Sequence, residues 1–262
     1  LLAQTLALAT GGTGVSSAIY PSLKGRRVVV TGGGSGIGAG LVEAFAGQGA
    51  ETIFVDILQA QSAALADRLK AQGANVRFEA LDLTDLKALE RFFAGIDPVD
   101  VLVNNAGNDD RHALDDITPE YWDDRMAVNL RHMLFAARAV APGMKAKGGG
   151  TIINFGSISW HLGLKGLTLY EIAKAGIEGM TKALARELGA DNIRVNCVVP
   201  GNVKTPRQMK WYTAQGEAEI LAQQCLKARI LPQHVAALVL FLASDDAAMC
   251  TGHPFWIDAG WA

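Results

Sequence analysis

Val28-Val29-Val30-Thr31-Gly32-Gly33-Gly34-Ser35-Gly36-Ile37-Gly38 is a β-branched run that passes through glycines into a helical pattern. A strand feeding a helix across such a turn opens a βαβ unit. Glycines at 32, 36 and 38 let a ligand approach the backbone closely and leave helix N-terminal N–H groups aimed at an anion, an arrangement suited to a pyrophosphate. The spacing is Gly-x-x-x-Gly-x-Gly, not the commoner Gly-x-Gly-x-x-Gly. Taken alone, the turn leaves open a βα connection with no ligand.

Outward from that turn the alternation continues. Strands are expected at Arg26–Thr31, Thr52–Asp56, Asn75–Glu79, Val99–Asn104, Thr151–Ser157, Ile193–Val199 and Phe255–Ile257. Helical patterns lie between them at Gln61–Gln72, Trp122–Lys147, Leu169–Leu188 and Gln233–Leu242. This is the pattern of an α/β fold with a parallel sheet, and 262 residues suit one such domain, placed at 21–262. Residues 1–20 read as an extension. Leu1–Ala9 is apolar and Ala7-Leu8-Ala9 resembles a cleavage site, but no Lys or Arg precedes Lys24 and the run is too short to span a bilayer. A non-native or mis-assigned start is preferred to an export signal.

Composition narrows the partners. A net charge of −2 supplies no basic surface for nucleic acid or anionic lipid. Cys197, Cys225 and Cys250 lack metal-ligand spacing and fit a reducing, cytoplasmic setting, and the five histidines are scattered, so no metal is expected.

Polar and glycine markers gather at the carboxyl ends of the expected strands: the glycine turn, Asp56, Asn104-Asn105-Ala106-Gly107, Ser157 and Pro200-Gly201. That edge is where open parallel sheets bind ligands. Asp56 can accept from both ribose hydroxyls of an adenosine and would repel a 2′-phosphate, which favours NAD over NADP. Asp82-Leu83 suits an adenine, the carboxylate taking the amino proton and the leucine packing on the ring; Asp82 could equally cap a helix.

Tyr170 and Lys174 lie one helical turn apart, and Ser157 stands thirteen residues earlier. To oxidise an alcohol, a base must take the hydroxyl proton as hydride leaves carbon. Tyr170 can do so if its pKa falls by roughly 3 units, which an ammonium about 4 Å away provides at an effective dielectric near 20. Lys174 is placed to supply it, aided by an oxidised nicotinamide, and can also reach the nicotinamide ribose. Ser157 can bind the substrate oxygen, and Asn129 can hold a water that joins Lys174 to solvent. Singly these could be a helix tyrosine, a solvated lysine and a turn serine; beside a dinucleotide turn they read as one catalytic set.

These residues make the chain, from about Leu23 to Trp261, similar to the short-chain dehydrogenase/reductase family. The matching elements are Thr31–Gly38, Asp82-Leu83, Asn104–Gly107, Asn129, Ser157, Tyr170, Lys174 and Pro200-Gly201-x-Val203-x-Thr205. The resemblance implies a Rossmann-type doubly wound sheet of order 3-2-1-4-5-6-7 with helices on both faces, and a homotetramer. It implies cofactor contacts from Gly32, Ser35, Gly36, Ile37, Gly38, Asn105, Ala106 and Gly107, with Pro200, Gly201, Val203 and Thr205 on the nicotinamide side. Asn104–His112, Asn154–Gly163 and Pro200–Thr205 further resemble bacterial NAD-dependent aldose 1-dehydrogenases. That likeness implies oxidation of the C1 hydroxyl of a cyclic aldose, D-xylose first, to its lactone. Another aldose or a small secondary alcohol would use the same catalytic set, and an NAD-binding sensor would use the same fold.

A sugar pocket needs an aromatic wall and several polar groups. Asn108, Asp109, Arg111, Asn154, Trp160, His161, Glu171 and Asn202 are the expected sources, with Trp211 and Tyr212 on a lid after Pro206. Solvated loop residues or simple packing would account for any one of them.

Overall fold

The computed structural model describes residues 18–96, 98–209 and 212–262. Most of the expected extension, and Trp211, lie outside the described residues. Seven strands form one sheet: β1 (Arg27–Thr31), β2 (Glu51–Asp56), β3 (Val76–Ala80), β4 (Val101–Asn104), β5 (Gly150–Phe155), β6 (Ile193–Pro200) and β7 (Pro254–Ile257). Their order is β3-β2-β1-β4-β5-β6-β7 and every neighbouring pair is parallel. The helices are α1 (Gly36–Gly47), α2 (Gln59–Ala71), α3 (Leu86–Ala94), α4 (Pro119–Met126), α5 (His132–Ala146), α6 (Ser159–Leu162), α7 (Thr168–Leu188), α8 (Pro206–Met209), α9 (Ala214–Gln223) and α10 (Pro232–Ala243).

The inner strands are largely buried and mostly apolar because both sheet faces are covered, whereas edge strand β3 carries Arg77 and Glu79. Alternate side chains go to opposite layers. Val28 and Val30 join Leu41 and Phe45 of α1 and Val235 and Val239 of α10. Val29 joins Phe92 of α3 with Val140 and Met144 of α5. Phe45 is fully buried, and a side chain of that kind contributes about 1.5–3 kcal/mol.

One expected helix is interrupted. The stretch read as Trp122–Lys147 is α4, a π-helical turn at Ala127–Arg131, then α5. Apolar periodicity runs through the break, which is why the sequence conceals it. The wider turn presents the buried side chain of Asn129 to the end of β4, and such turns often sit at functional sites.

β1 and β4 are neighbours although β2 and β3 intervene in sequence, so the chain departs to opposite sides at their carboxyl ends and opens a crevice. Its floor is tied together by polar groups. Thr31 Oγ1 accepts from the N–H groups of Asn105 and Ala106 at 3.0 and 3.1 Å. Asn105 Nδ2 donates to the carbonyls of Thr31 and Gly32, both at 3.0 Å.

Candidate active site

A cavity of about 500 Å³ occupies that crevice. At one end is the glycine turn. Gly32 and Gly36 have φ of +65° and +54°, a region that favours glycine. Gly38 serves a different purpose: a Cβ there would lie 1.9 Å from the Gly32 carbonyl oxygen. The N-cap residue Ser35 gives α1 no side-chain hydrogen bond, so the first helical N–H groups remain available to a phosphate. A turn of this shape, open to the cavity, fits a dinucleotide.

Asp56 also faces the cavity. Its Oδ2 accepts from Gly34 N at 2.8 Å and its Oδ1 from Leu58 N at 2.9 Å, which fixes the carboxylate in place. Asp82 is not the cap of α3, because Asp85 takes that role on Lys87 N and Ala88 N. Asp82 instead accepts from Thr84 through Oδ1 and lines the cavity beside Leu83. Ser35, Ile37, Asn105, Ala106, Gly107, Pro200, Gly201, Val203 and Thr205 line it as well.

The reacting groups sit at the other end. Tyr170 and Lys174 project from α7, and Ser157 follows β5; all three line the cavity. Lys174 Nζ donates to the Phe155 carbonyl at 2.7 Å and lies 5.2 Å from the centre of the Tyr170 ring. Burial lowers its pKa to about 8, partly offset by Cys197 and Asp109. The Tyr170 hydroxyl is pushed up from its ordinary value, first by burial and then by the Asp109 carboxylate, against a hydrogen bond to Ser157 and the charge of Arg207. Desolvation therefore opposes the lowering expected from Lys174 and an oxidised nicotinamide.

Asn129 clamps the strand end. Its Oδ1 accepts from Asn108 N at 2.7 Å and its Nδ2 donates to Asn108 O at 3.0 Å. The side chain thus positions the loop after β4. His132, one turn on, was passed over among scattered histidines. It is fully buried, and burial followed by the charge of Lys174 lowers its pKa to about 4, so it stands neutral beside the site.

Four substrate expectations, Asn154, Trp160, His161 and Glu171, require correction, since none of them lines the cavity. Asn154 has no exposed surface; it accepts from Asn104 Nδ2 and donates to Thr181 Oγ1, each at 3.0 Å, and so ties β5 to β4 and α7. Its side chain turns into the layer that α7 covers. Trp160 donates to Glu178 Oε1 at 2.9 Å, and its ring stacks on His161, 3.6 Å between centres. His161 in turn meets Trp256 on β7. These three rings are not among the residues that line the cavity, nor is Glu171, which accepts from Leu164 N.

Asn108, Asp109, Arg111, Asn202 and Tyr212 do line the cavity. Sequence reasoning missed their partners Arg207, Gln208 and Arg229. Arg207 on α8 pairs with Asp109 and Asp110 at 3.0 and 2.9 Å, which ties α8 to the loop after β4. The acid pair at 109–110 facing a basic residue after Pro206 was the available signal.

One consequence of Lys174 burial is measurable. Unfolded, the lysine holds its proton up to about 10.5; folded, it releases it near 8. Between those values the unfolded chain binds the extra proton, so this group's penalty on folding is full below pH 8 and fades as pH rises toward 10.5. Wild type is therefore expected to gain about 2–3 kcal/mol relative to Lys174→Met between pH 7 and pH 10. Urea unfolding of both proteins at the two pH values checks this; a difference that does not change with pH would exclude it.

The sheet order, glycine turn and Ser157-Tyr170-Lys174 set define a nicotinamide-dependent oxidoreductase, and the chain belongs to the short-chain dehydrogenase/reductase family. Residues 32–262 match a family model described as enoyl-(acyl carrier protein) reductase. The chain is 69% identical over 247 residues to a D-xylose 1-dehydrogenase of Caulobacter vibrioides, covering 94% of this chain and 100% of that protein. It is 47% identical over 250 residues to a Rhizobium meliloti protein named a probable galactose dehydrogenase, covering 93% and 98%. A solved blue fluorescent protein from a metagenomic library, in complex with NADPH, superposes with a TM-score of 0.85 at 34% identity, covering 92% of this chain and 99% of that one.

Proposed function

We propose that this enzyme oxidises the C1 hydroxyl of a cyclic aldose, D-xylose foremost, to the lactone, with NAD as hydride acceptor. The observation that carries the reading is the 69% identity, over 94% of the chain, to the Caulobacter vibrioides D-xylose 1-dehydrogenase. The 47% identity to the Rhizobium meliloti protein keeps another aldose as the second reading.

Gly32, Ser35, Gly36, Ile37 and Gly38 would hold the pyrophosphate, Asp56 the adenosine ribose, and Asp82 with Leu83 the adenine. Asn105, Ala106, Gly107, Pro200, Gly201, Val203 and Thr205 would line the nicotinamide half. The bound oxidised nicotinamide would supply the hydride acceptor and a positive charge. Tyr170 takes the hydroxyl proton as the C–H bond breaks, leaving a carbonyl at C1. Its ionisation needs that additional positive charge, since the protein alone raises its pKa. Ser157 donates to the reacting oxygen, and Lys174, held by the Phe155 carbonyl, keeps a cation near the tyrosine at and below neutral pH. Asn129 fixes the loop that Asn108 and Asp109 share.

NAD, not NADP, follows from Asp56: a carboxylate about 4 Å from one added phosphate charge costs about 4 kcal/mol at an effective dielectric of 20. A homotetramer in the cytoplasm completes the reading. β7 is an edge strand with Trp256 39% exposed, a surface that calls for covering, and the three thiols are unpaired.

Formation of NADH or NADPH from D-xylose, L-arabinose, D-galactose and cyclohexanol tests the proposal. Strong preference for D-xylose with NAD is expected. Turnover of cyclohexanol alone would overturn the aldose assignment. In the same assay Asp56→Ala should shift the NAD-to-NADP preference at least about tenfold toward NADP. An unchanged ratio would move cofactor selection to another residue.

A further inference from the structure

Five side chains at the cavity mouth are joined end to end. Arg229 Nη2 donates to Asn202 Oδ1 at 2.8 Å, and Asn202 Nδ2 donates to Tyr212 Oη at 2.6 Å. Tyr212 Oη donates to Gln208 Oε1 at 2.7 Å, and Gln208 Nε2 donates to Asp109 Oδ2 at 3.1 Å. We propose that this chain, from Arg229 to Asp109, is the specificity element of the site and selects substrates with a vicinal diol next to the reacting carbon. The inference rests on the aldose reading above and says which groups would enforce it.

Chemistry at the two ends sets the direction of every link. A guanidinium can only donate and a carboxylate can only accept. Gln208 must therefore turn its amide nitrogen to Asp109, which leaves its oxygen for the tyrosine. The Tyr212 proton is then committed to Gln208, so Tyr212 can only accept from Asn202, whose oxygen is already held by Arg229. Arg229 is itself anchored: its side chain is 8% exposed, it pairs with Glu217, and it lies 5.3 Å from the centre of the Tyr212 ring. At the far end Arg207 pairs with the other Asp109 oxygen at 3.0 Å.

Asn202, Tyr212, Gln208 and Asp109 all line the cavity that holds Ser157 and Tyr170. Each amide keeps one N–H to spare, and the carboxylate keeps lone pairs. A hydroxyl is donor and acceptor at once, so it can give its proton to Asp109 while accepting from Gln208. A second, adjacent hydroxyl can accept from Asn202. A substrate with one lone hydroxyl would satisfy Tyr170 and Ser157 but leave the spare N–H groups and lone pairs of this wall unmatched, and sites built around hydroxyls reject analogues that lack them. A long acyl chain would meet the same penalty.

The test compares D-xylose with tetrahydropyran-2-ol, a cyclic hemiacetal that has the reacting hydroxyl and no other. The quantity read is the ratio of their kcat/KM values in wild type, Tyr212→Phe and Gln208→Leu. Tyr212→Phe removes the oxygen that makes two links; Gln208→Leu removes the link to Asp109. Wild type should favour D-xylose by at least about a hundredfold, and each variant should lower that ratio about tenfold or more. A fraction of misfolded protein cancels in the ratio, so loss of fold cannot imitate the effect. An unchanged ratio in both variants, with wild type still oxidising D-xylose, would overturn this inference alone. Wild type that oxidises tetrahydropyran-2-ol and not D-xylose would overturn the aldose reading, and this inference with it.

Discussion

Tyr170→Phe is expected to lower kcat/KM for aldose oxidation by about 10³–10⁴, the upper part of the range for losing a general base. Phenylalanine keeps the ring beneath Lys174, whose Nζ stands 5.2 Å from its centre, and removes only the oxygen. Packing of α7 against the sheet is therefore retained, and NAD affinity should stay within about threefold. The loss is larger than that of a hydrogen bond because neither Lys174 nor His132 can take the proton in its place. Lys174 is a cation up to about pH 8, and His132 is buried with a pKa near 4, outside the set that lines the cavity. Initial rates of NADH formation, with cofactor binding followed by fluorescence, measure both quantities. Residual activity above about a tenth of wild type would remove Tyr170 as the base.

The fold could be read from the sequence because a fully covered parallel sheet imposes a simple code. Runs such as Val28-Val29-Val30 must be apolar at every position, and each expected strand lies within two residues of its observed bounds at every end. The carboxyl-edge residues were legible for a related reason: glycines and polar groups at strand ends serve no core. Asn154 and Trp160 misled because sequence proximity to Ser157 says nothing about which way a side chain faces. Asn154 lies one residue before the last of β5 and turns into the layer that holds Thr181, whereas Ser157 lies past the strand's end and turns toward the cavity. Of the mouth network the sequence offers Asp109, Asn202 and Tyr212, but not Gln208, Arg229 or the links between the five, for want of any local pattern. Asp109, Asn202, Gln208, Tyr212 and Arg229 come from three segments that only the crossover after β6 brings together. For Tyr170, a charge at i+4 is visible in a sequence, whereas the desolvation that opposes it is not.

Gly38→Ala should raise the Kd for NAD by about a hundredfold. Its backbone is not in the left-handed region, so alanine is conformationally acceptable there and conformational strain is not the cause. The obstacle is contact. The new methyl would sit 1.9 Å from the Gly32 carbonyl oxygen and 2.8 Å from both Gly32 C and Asn105 Nδ2. Relief requires about an ångström of movement between the end of β1 and the start of α1. That displacement misplaces the N–H groups that would meet the pyrophosphate and stretches the Asn105 bonds to Thr31 and Gly32 that close the crevice floor. Overpacking of this kind also destabilises the fold by about 1–3 kcal/mol. Gly47→Ala, at the other end of the same helix, isolates the cause: a Cβ there meets nothing within 4 Å. It should leave the Kd unchanged and stabilise the protein by up to about 1 kcal/mol. Isothermal titration with NAD and thermal unfolding of both variants measure the pair. Equal NAD affinity in Gly38→Ala and Gly47→Ala would refute the steric account of the glycine turn.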